Sequence, residues 1–184
     1  MEISATLITI IGIWLAAKAN SWNWLFSIVA SAVYTYIFFH SQLYGDATLN
    51  FIFIILSFYG WYEWVFSGIK NNSLKISSVK KNKKIIFTLC LSFIVGAIFT
   101  IWLLKKTNTN VPYLDGITTV LSLIATWMSA KKIIENWIIW IFTNTIYIGI
   151  YYYKHLYPTA VLYFILALLA IYGMYEWKKI MKTA

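Results

Sequence analysis

The chain contains no arginine, one cysteine, two prolines and only six acidic residues among its 184 positions. Charged residues make up 11% of it, whereas a soluble globular domain carries about 25%. The composition therefore excludes an ordinary soluble protein. The absence of arginine argues against a protein that binds nucleic acid or phosphate, because such proteins favour the bidentate guanidinium group. The one thiol, Cys90, excludes a disulfide framework and is expected to be a small core residue.

Charge is also missing from the middle of every apolar run. The six acidic residues all lie at or near predicted helix ends: Glu2, Asp46, Glu63, Asp115, Glu135 and Glu176. A carboxylate at mid-membrane marks proton relays and ion sites, so this pattern argues against a proton pump or a proton-coupled carrier. The two histidines make no metal-ligand pair, and no Ser/His/Asp, HExxH or glycine-rich phosphate motif is present. We therefore predict no enzyme activity, no metal and no cofactor.

What the chain does contain is long apolar runs, with 61% hydrophobic residues overall. The runs have the length of membrane-spanning helices, not the short alternation of a barrel. We expect the first run to be a structural span and not a signal peptide, because it lacks a basic leader and recurs at residues 114–130. The sequence predicts an all-α integral membrane protein with seven transmembrane helices, at residues 3–17, 22–39, 47–66, 85–104, 114–130, 136–153 and 159–177.

Residues 1–64 recur as residues 114–177, with about 22 identities at a constant offset and no gap. We predict a first three-helix repeat at 1–66, a basic linker at 67–84, a connecting helix at 85–104 and a second three-helix repeat at 114–177. Since a single helix separates the triplets, the copies should insert with the same orientation, which is a parallel 3+1+3 arrangement.

The lysines predict the orientation in the membrane. With the N-terminus outside, twelve lysines fall in inner loops and tails and three in outer loops, which satisfies the positive-inside rule. The C-terminus and the linker at 67–84 would then be cytosolic, and the linker should be soluble and mobile.

An aromatic and amide stripe runs along the sixth predicted helix. Trp137, Trp140, Asn144, Tyr147 and Tyr151 follow spacings of three and four, which places them on one helical face. The stripe is either a belt at the membrane interface or the lining of a substrate pathway. We favour the pathway for Trp140 and Asn144, and leave both interpretations open for Trp137.

The two copies differ where an asymmetric ligand would need them to differ. Residues identical in both copies are expected to be scaffold, and Glu63 and Glu176 are expected to meet a lysine such as Lys18 or Lys131. Ser27 and Ser31 occupy the positions of Trp140 and Asn144, so one copy is small where the other is bulky. The candidate substrate-binding residues are Trp137, Trp140, Asn144, Tyr147, Asn50, Tyr34, Asp115, Thr118, Ser122 and Trp127.

A site built of aromatic faces, amides and hydroxyls, without a buried acid, suits a flat or cationic ring. Each aromatic face attracts a ligand cation by roughly 0.5–2 kcal/mol. Amides and hydroxyls would fix the ring's orientation through hydrogen bonds.

Several motifs resemble those of the PnuC family of bacterial vitamin transporters, and the resemblance covers essentially the whole chain. The motifs are Asp115-x-x-Thr118-Thr119-x-x-Ser122, Ala130-Lys131-Lys132, Glu135-Asn136-Trp137-x-x-Trp140 and Tyr59-Gly60-Trp61-Tyr62-x-Trp64. The resemblance implies a fold distantly related to SWEET sugar carriers and a homotrimer in the bacterial inner membrane. It also implies that Trp137, Trp140, Asn144 and Tyr147 face the ligand.

The function implied by the resemblance is facilitated diffusion of a flat-ring vitamin, with a cytosolic kinase trapping the product as its phosphate. Nicotinamide riboside is the expected cargo, and thiamine, carried by the PnuT branch, is the main alternative. A vitamin-binding subunit of an energised transporter and a SWEET-like sugar carrier are further alternatives. No nucleic-acid partner is expected.

Overall fold

The computed structural model describes residues 2–42, 44–70, 75–79, 112–153 and 155–183, and they form six helices. The helices are α1 Glu2–Ala17, α2 Trp22–His40, α3 Tyr44–Lys70, α4 Pro112–Ala130, α5 Asn136–Tyr153 and α6 Tyr157–Thr183. Six of the seven predicted spans therefore correspond to helices. The predicted helix at 85–104, with Cys90, lies outside the described residues.

The described helices are apolar enough for a membrane protein. Three of them are long and hydrophobic enough to cross a bilayer, over Trp22–His40, Asp46–Phe66 and Tyr157–Thr183. Ser4–Ala17 and Gly116–Ala130 form shorter apolar helices. Large apolar side chains cover their outer faces, as expected where lipid replaces water.

The six helices form a closed ring. Each one packs against the helix before and after it in the order α1, α2, α3, α4, α5 and α6, and α6 packs back onto α1. Among the described helices, none packs its backbone against a helix across the ring. The ring therefore has a centre that the backbone of the described helices leaves free.

The turns of the two sequence copies have the same unusual backbone geometry. Ala19 and Lys132 occupy equivalent positions after α1 and α4, with φ of 53° and 50°. Gln42 and His155 occupy equivalent positions after α2 and α5, with φ of 60° and 59°. Left-handed geometry is uncommon outside glycine. Its recurrence at two pairs of positions means that corresponding turns take the same conformation.

Tryptophan-on-glycine packing joins the second and third helix of each copy. The ring of Trp24 on α2 lies against Gly60 on α3, and the ring of Trp137 on α5 lies against Gly173 on α6. A Cβ at either glycine would come within 3.0 Å of the indole. Glycine is therefore required at both positions for the helices to approach.

The basic linker differs from its prediction in two ways. Helix α3 continues to Lys70, beyond the predicted end at residue 66. Residues 75–79, which we expected to be mobile, instead lie against the loop between α4 and α5.

Two kinds of contact attach residues 75–79 to this loop. Ser77 pairs with Ile133 in a parallel β-bridge, and Glu135 accepts hydrogen bonds from the Ser78 hydroxyl and from the Val79 N–H at 3.1 Å. We call residues 75–79 the strap. Sequence reasoning missed it because a lysine-rich run gives no signal for a specific docking partner.

Candidate substrate pathway

The predicted stripe on α5 faces the interior of the ring. The exposed residues of this helix lie on the opposite face: Ile138, Phe142, Thr145, Gly149, Tyr152 and Tyr153. Trp137 and Asn144 are buried, while Trp140 and Tyr147 are half-buried. The stripe is therefore not a belt directed at lipid.

Four tryptophans close one end of the ring. Trp64 stands edge-on to Trp24 with ring centroids 5.5 Å apart, and Trp177 stands edge-on to Trp137 at 5.4 Å. Trp64 and Trp177 also meet each other, with centroids 6.0 Å apart. Since α3 and α6 are opposite members of the ring, this last contact spans its centre. We call these four residues the tryptophan plug. It lies at the lysine-rich end of the ring, which carries Lys18, Lys131 and Lys132.

Two clasps hold the lysine-rich end together, and each joins one sequence copy to the other. In the α3–α4 clasp, Lys131 donates to Glu63 at 2.6 Å and the indole N–H of Trp64 donates to carbonyls at the C-terminus of α4. In the α1–α6 clasp, Lys18 lies 3.6 Å from Glu176. The predicted pairing of both glutamates with these lysines is confirmed.

The α1–α6 clasp is completed by a tryptophan, as its counterpart is. The indole N–H of Trp177 donates to the carbonyl of Ala16 at 3.0 Å, at the C-terminus of α1. Carbonyls in the last turn of a helix have no partner within the helix. Both clasps therefore add an indole donor to carbonyls at a helix end, and the carbonyls of Ala16 and Ser129 also accept the backbone N–H groups of Ala19 and Lys132 at 2.9 Å.

The rim lysines have shifted pKa values for reasons visible in these contacts. A hydrogen bond with Tyr172 raises the pKa of Lys18, and Glu176 adds to the effect. Burial alone would lower the pKa of Lys131, but hydrogen bonds with Glu63 and Tyr59 outweigh it and raise the pKa. Burial lowers the pKa of Lys132, whose ammonium lies 4.7 Å from the centroid of the Trp64 ring.

Tyrosines cluster towards the other end of the ring. Tyr163 on α6 lies against Tyr147 and Tyr151 on α5, with centroids 4.6 and 5.2 Å away. Tyr34 on α2 is close enough to interact electrostatically with Tyr163, and its hydroxyl shares a hydrogen bond with Thr6 on α1. Four helices, two from each copy, therefore contribute to this tyrosine cluster and its hydrogen bond.

Between these aromatic ends, buried polar side chains belong mostly to the second copy. Asn144 lies near the middle of α5 and is 4% exposed. On α4 the buried polar residues follow helical spacing along one face: Thr118, Ser122, Thr126 and Ser129. The hydroxyls of Thr118 and Thr126 donate to carbonyls one turn back in their own helix. Thr118 and Ser122 were predicted as part of a polar stripe, and both are buried.

The structure shows the following contacts for the other predicted residues. The side-chain amide of Asn50 donates to the carbonyl of Asp46 in its own helix at 2.9 Å. Trp127 packs in a separate core cluster with Val120, Ile124 and Met128. Only the backbone of Asp115 is described, so its predicted role is untested.

Two structural features near the stripe were missed by sequence reasoning. Tyr163 joins the tyrosine cluster, and its only signal was an unmatched aromatic opposite Asn50 in the alignment of the copies. Four buried polar atoms have no hydrogen-bond partner within the described part of the chain: Asn23 Oδ1, Trp24 Nε1, Asn136 Oδ1 and Trp137 Nε1. Buried groups of this kind are normally paired, which marks these atoms as places for a water or a polar group of a ligand.

Comparison with known proteins decides the family. Residues 1–179 match the family described as "Nicotinamide mononucleotide transporter". The chain belongs to that family. This confirms the membership that the PnuC-like motifs indicated.

Relatives in the PnuC family align along most of this chain. It is 24% identical to "Nicotinamide riboside transporter PnuC" of Escherichia coli (strain K12), over 96% of this chain and 84% of that protein. It is also 24% identical to the PnuC of Haemophilus influenzae (strain ATCC 51907 / DSM 11121 / KW20 / Rd), over 91% and 74% of the two chains. A membrane transporter of the PnuC family agrees with the apolar helices and with a location in the bacterial inner membrane.

A solved structure supports the fold. "Crystal structure of the Vitamin B3 transporter PnuC" matches with a TM-score of 0.76 and 21% identity, covering 97% of this chain and 80% of that one. At this identity the likeness establishes a shared fold. The ring of helices is therefore an arrangement that a PnuC protein also adopts.

Proposed function

We propose that this chain carries nicotinamide riboside across the bacterial inner membrane by facilitated diffusion. The observation that carries the proposal is the alignment of 96% of the chain with a protein named as a transporter of that compound. The chain would move its cargo without chemical conversion, and a cytosolic kinase would trap it as the phosphate.

The interior of the ring supports this cargo. Nicotinamide riboside combines a flat pyridinium cation with a carboxamide and a ribose. Tyrosine and tryptophan faces stabilise a cation without the cost of burying a counter-charge. Trp140, Asn144 and Tyr147 lie on the inward face of α5, and an amide can hydrogen-bond the carboxamide or the sugar. Thiamine, also a flat cation, remains the alternative cargo.

The proposed topology follows from the sequence pattern. We propose seven membrane helices in a parallel 3+1+3 repeat, with the N-terminus outside and the lysine-rich end in the cytosol. A homotrimer is proposed from the family resemblance.

Uptake into liposomes separates the cargoes. Purified protein is reconstituted, and labelled nicotinamide riboside and thiamine are supplied at equal concentration. We expect nicotinamide riboside to enter faster, to equilibrate without accumulating, and to be insensitive to a proton ionophore. Faster thiamine uptake would reassign the cargo. Accumulation that the ionophore abolishes would overturn facilitated diffusion.

Trp140→Ala tests the inward face of α5. Loss of one aromatic face should weaken nicotinamide riboside binding about tenfold, as measured by calorimetry. Trp14→Ala removes a tryptophan that is 47% exposed and should leave the affinity unchanged. If Trp140→Ala abolishes expression instead, or if Ser27→Ala on the facing copy has the same effect, the assignment of the pathway fails.

A further inference from the structure

The two clasps at the lysine-rich end occupy equivalent positions, but their ion pairs and hydrogen bonds differ in length and number. The ion pair of the α3–α4 clasp is 2.6 Å long, whereas that of the α1–α6 clasp is 3.6 Å long. Trp64 donates to two carbonyls, of Ser129 and Ala130, at 3.1 Å each. Trp177 donates to one, that of Ala16. The direct contacts therefore favour the α3–α4 clasp.

A lysine present in one copy reinforces the same clasp. Lys132 places its ammonium over the ring of Trp64 at 4.7 Å. The equivalent position in the first copy is Ala19, which carries no charge. A cation over a tryptophan face contributes an attraction that has no counterpart at Trp177 among the described residues.

The strap adds a third set of contacts, and these also belong to the α3–α4 clasp. Ser77 exchanges two backbone hydrogen bonds with the loop after α4, to Lys132 at 3.0 Å and from Ile134 at 2.9 Å. Ile76 packs against the core cluster that contains the plug, and Val79 packs against the cluster around Met128. The equivalent loop after α1 receives no such segment from the residues that the structure describes.

We infer that the lysine-rich end opens by separation of α1 from α6, while the α3–α4 interface stays closed and acts as the hinge. The same movement would part Trp64 from Trp177 across the centre of the ring and so remove the plug. A two-state opening proceeds at the interface with the weaker ties, because the cost of breaking contacts is lowest there. The inference rests on the proposed transport function: cargo would leave between Lys18 and Glu176.

Two matched cysteines test the opening without any cargo. Ala16 and Ser129 are equivalent residues, 9% and 8% exposed, whose carbonyls receive the two tryptophan N–H groups. In a Cys90→Ser background, Ala16→Cys and Ser129→Cys are labelled with a membrane-impermeant maleimide, and the rates are compared with those in denaturant. We expect Ala16→Cys to be labelled faster. Equal rates, or faster labelling of Ser129→Cys, would overturn the inference.

Cross-linking then connects the opening to transport. Lys18→Cys/Glu176→Cys and Lys131→Cys/Glu63→Cys are each bridged with a short bifunctional methanethiosulfonate. Bridging the first pair should abolish nicotinamide riboside uptake, reversibly on reduction, and bridging the second should leave it. Loss of uptake with the second bridge alone would place the opening at α3–α4. If the wild-type protein carries no nicotinamide riboside in the same liposomes, the proposed function fails, while the labelling rates still decide which clasp opens.

Discussion

At the scale of single residues, the tightest constraint is the contact between an indole and a bare glycine backbone. It occurs twice, at Gly60 under Trp24 and at Gly173 under Trp137. Membrane helices pack through small residues because lipid leaves little hydrophobic force to drive them together. The indoles fill the space that the missing side chain leaves, and from there they contact the other two tryptophans of the plug.

Gly60→Ala and Gly173→Ala should each destabilise the protein by about 1–3 kcal/mol, because the added methyl group displaces an indole in a packed core. Gly149→Ala is the matched control. A Cβ there meets nothing within 4 Å, and alanine is favoured over glycine in a helix by up to about 1 kcal/mol. Thermal unfolding in detergent measures all three. Equal melting temperatures for Gly60→Ala and wild type would show that the indole moves freely.

At the scale of elements, short turns fix how consecutive helices meet. Ala19 and Lys132, each two residues beyond the end of a helix, lie in the left-handed region without being glycine. That conformation costs a residue with a Cβ roughly 1–2 kcal/mol. The surrounding helix contacts compensate for the cost in both copies.

Ala19→Gly should therefore stabilise the protein by up to about 1 kcal/mol, because glycine adopts positive φ readily. Ala32→Gly, at an exposed position inside α2, should lower stability by about 1 kcal/mol through its poorer helix propensity. Opposite shifts in melting temperature are the expected result. A loss of stability in Ala19→Gly would mean that the turn is not strained.

The strap is the second element whose attachment can be measured. Glu135→Ala removes the acceptor of the Ser78 hydroxyl and the Val79 N–H. Hydrogen exchange at Ser77 and Val79 should then accelerate, because their amides depend on this docking. Glu2→Ala, at the start of α1, is a control that should leave these amides unchanged. Unaltered exchange in Glu135→Ala would show that the backbone bridge to Ile133 suffices.

At the scale of the whole molecule, the lysine-rich end is held by contacts between the two copies. Each ion pair, Lys131–Glu63 and Lys18–Glu176, joins residues of different copies. Neither copy could form the clasp of Trp64 or Trp177 alone. The closed ring therefore depends on both halves being folded against each other.

The stability of the protein at alkaline pH should depend on the ion pair of the α3–α4 clasp. The pKa of Lys131 is raised in the folded protein. The contribution of its ion pair to the free energy of unfolding is therefore complete below the unfolded pKa of 10.5 and is lost as the pH rises through the folded pKa. This half-exposed pair should contribute about 0.2–1 kcal/mol. The melting temperature of the wild type should exceed that of Glu63→Gln at pH 8, and this difference should disappear above pH 10.5. A gap that widens at alkaline pH would contradict the assignment.

Local sequence features predicted much of the architecture. Apolar run length gave six helices close to their observed positions, because a bilayer demands continuous helices of a minimum length. Helical spacing placed Trp137, Trp140, Asn144 and Tyr147 on one face, and that face does point inward. The helix at 85–104, the parallel orientation and the membrane topology stay predictions. So do the ligand contacts.

The sequence by itself determined the membrane class, the helices, the internal repetition and the pairing of glutamates with rim lysines, since all of these follow from periodicity and from the cost of buried charge. Only the tertiary structure decided which lysine meets which glutamate, that Trp64 and Trp177 meet across the ring, and that Trp127 packs in a different core cluster from Trp137 and Trp140. It also revealed the strap on one clasp alone. These features depend on how distant segments pack, and spacing along a chain carries no information about which face of another helix a side chain will meet.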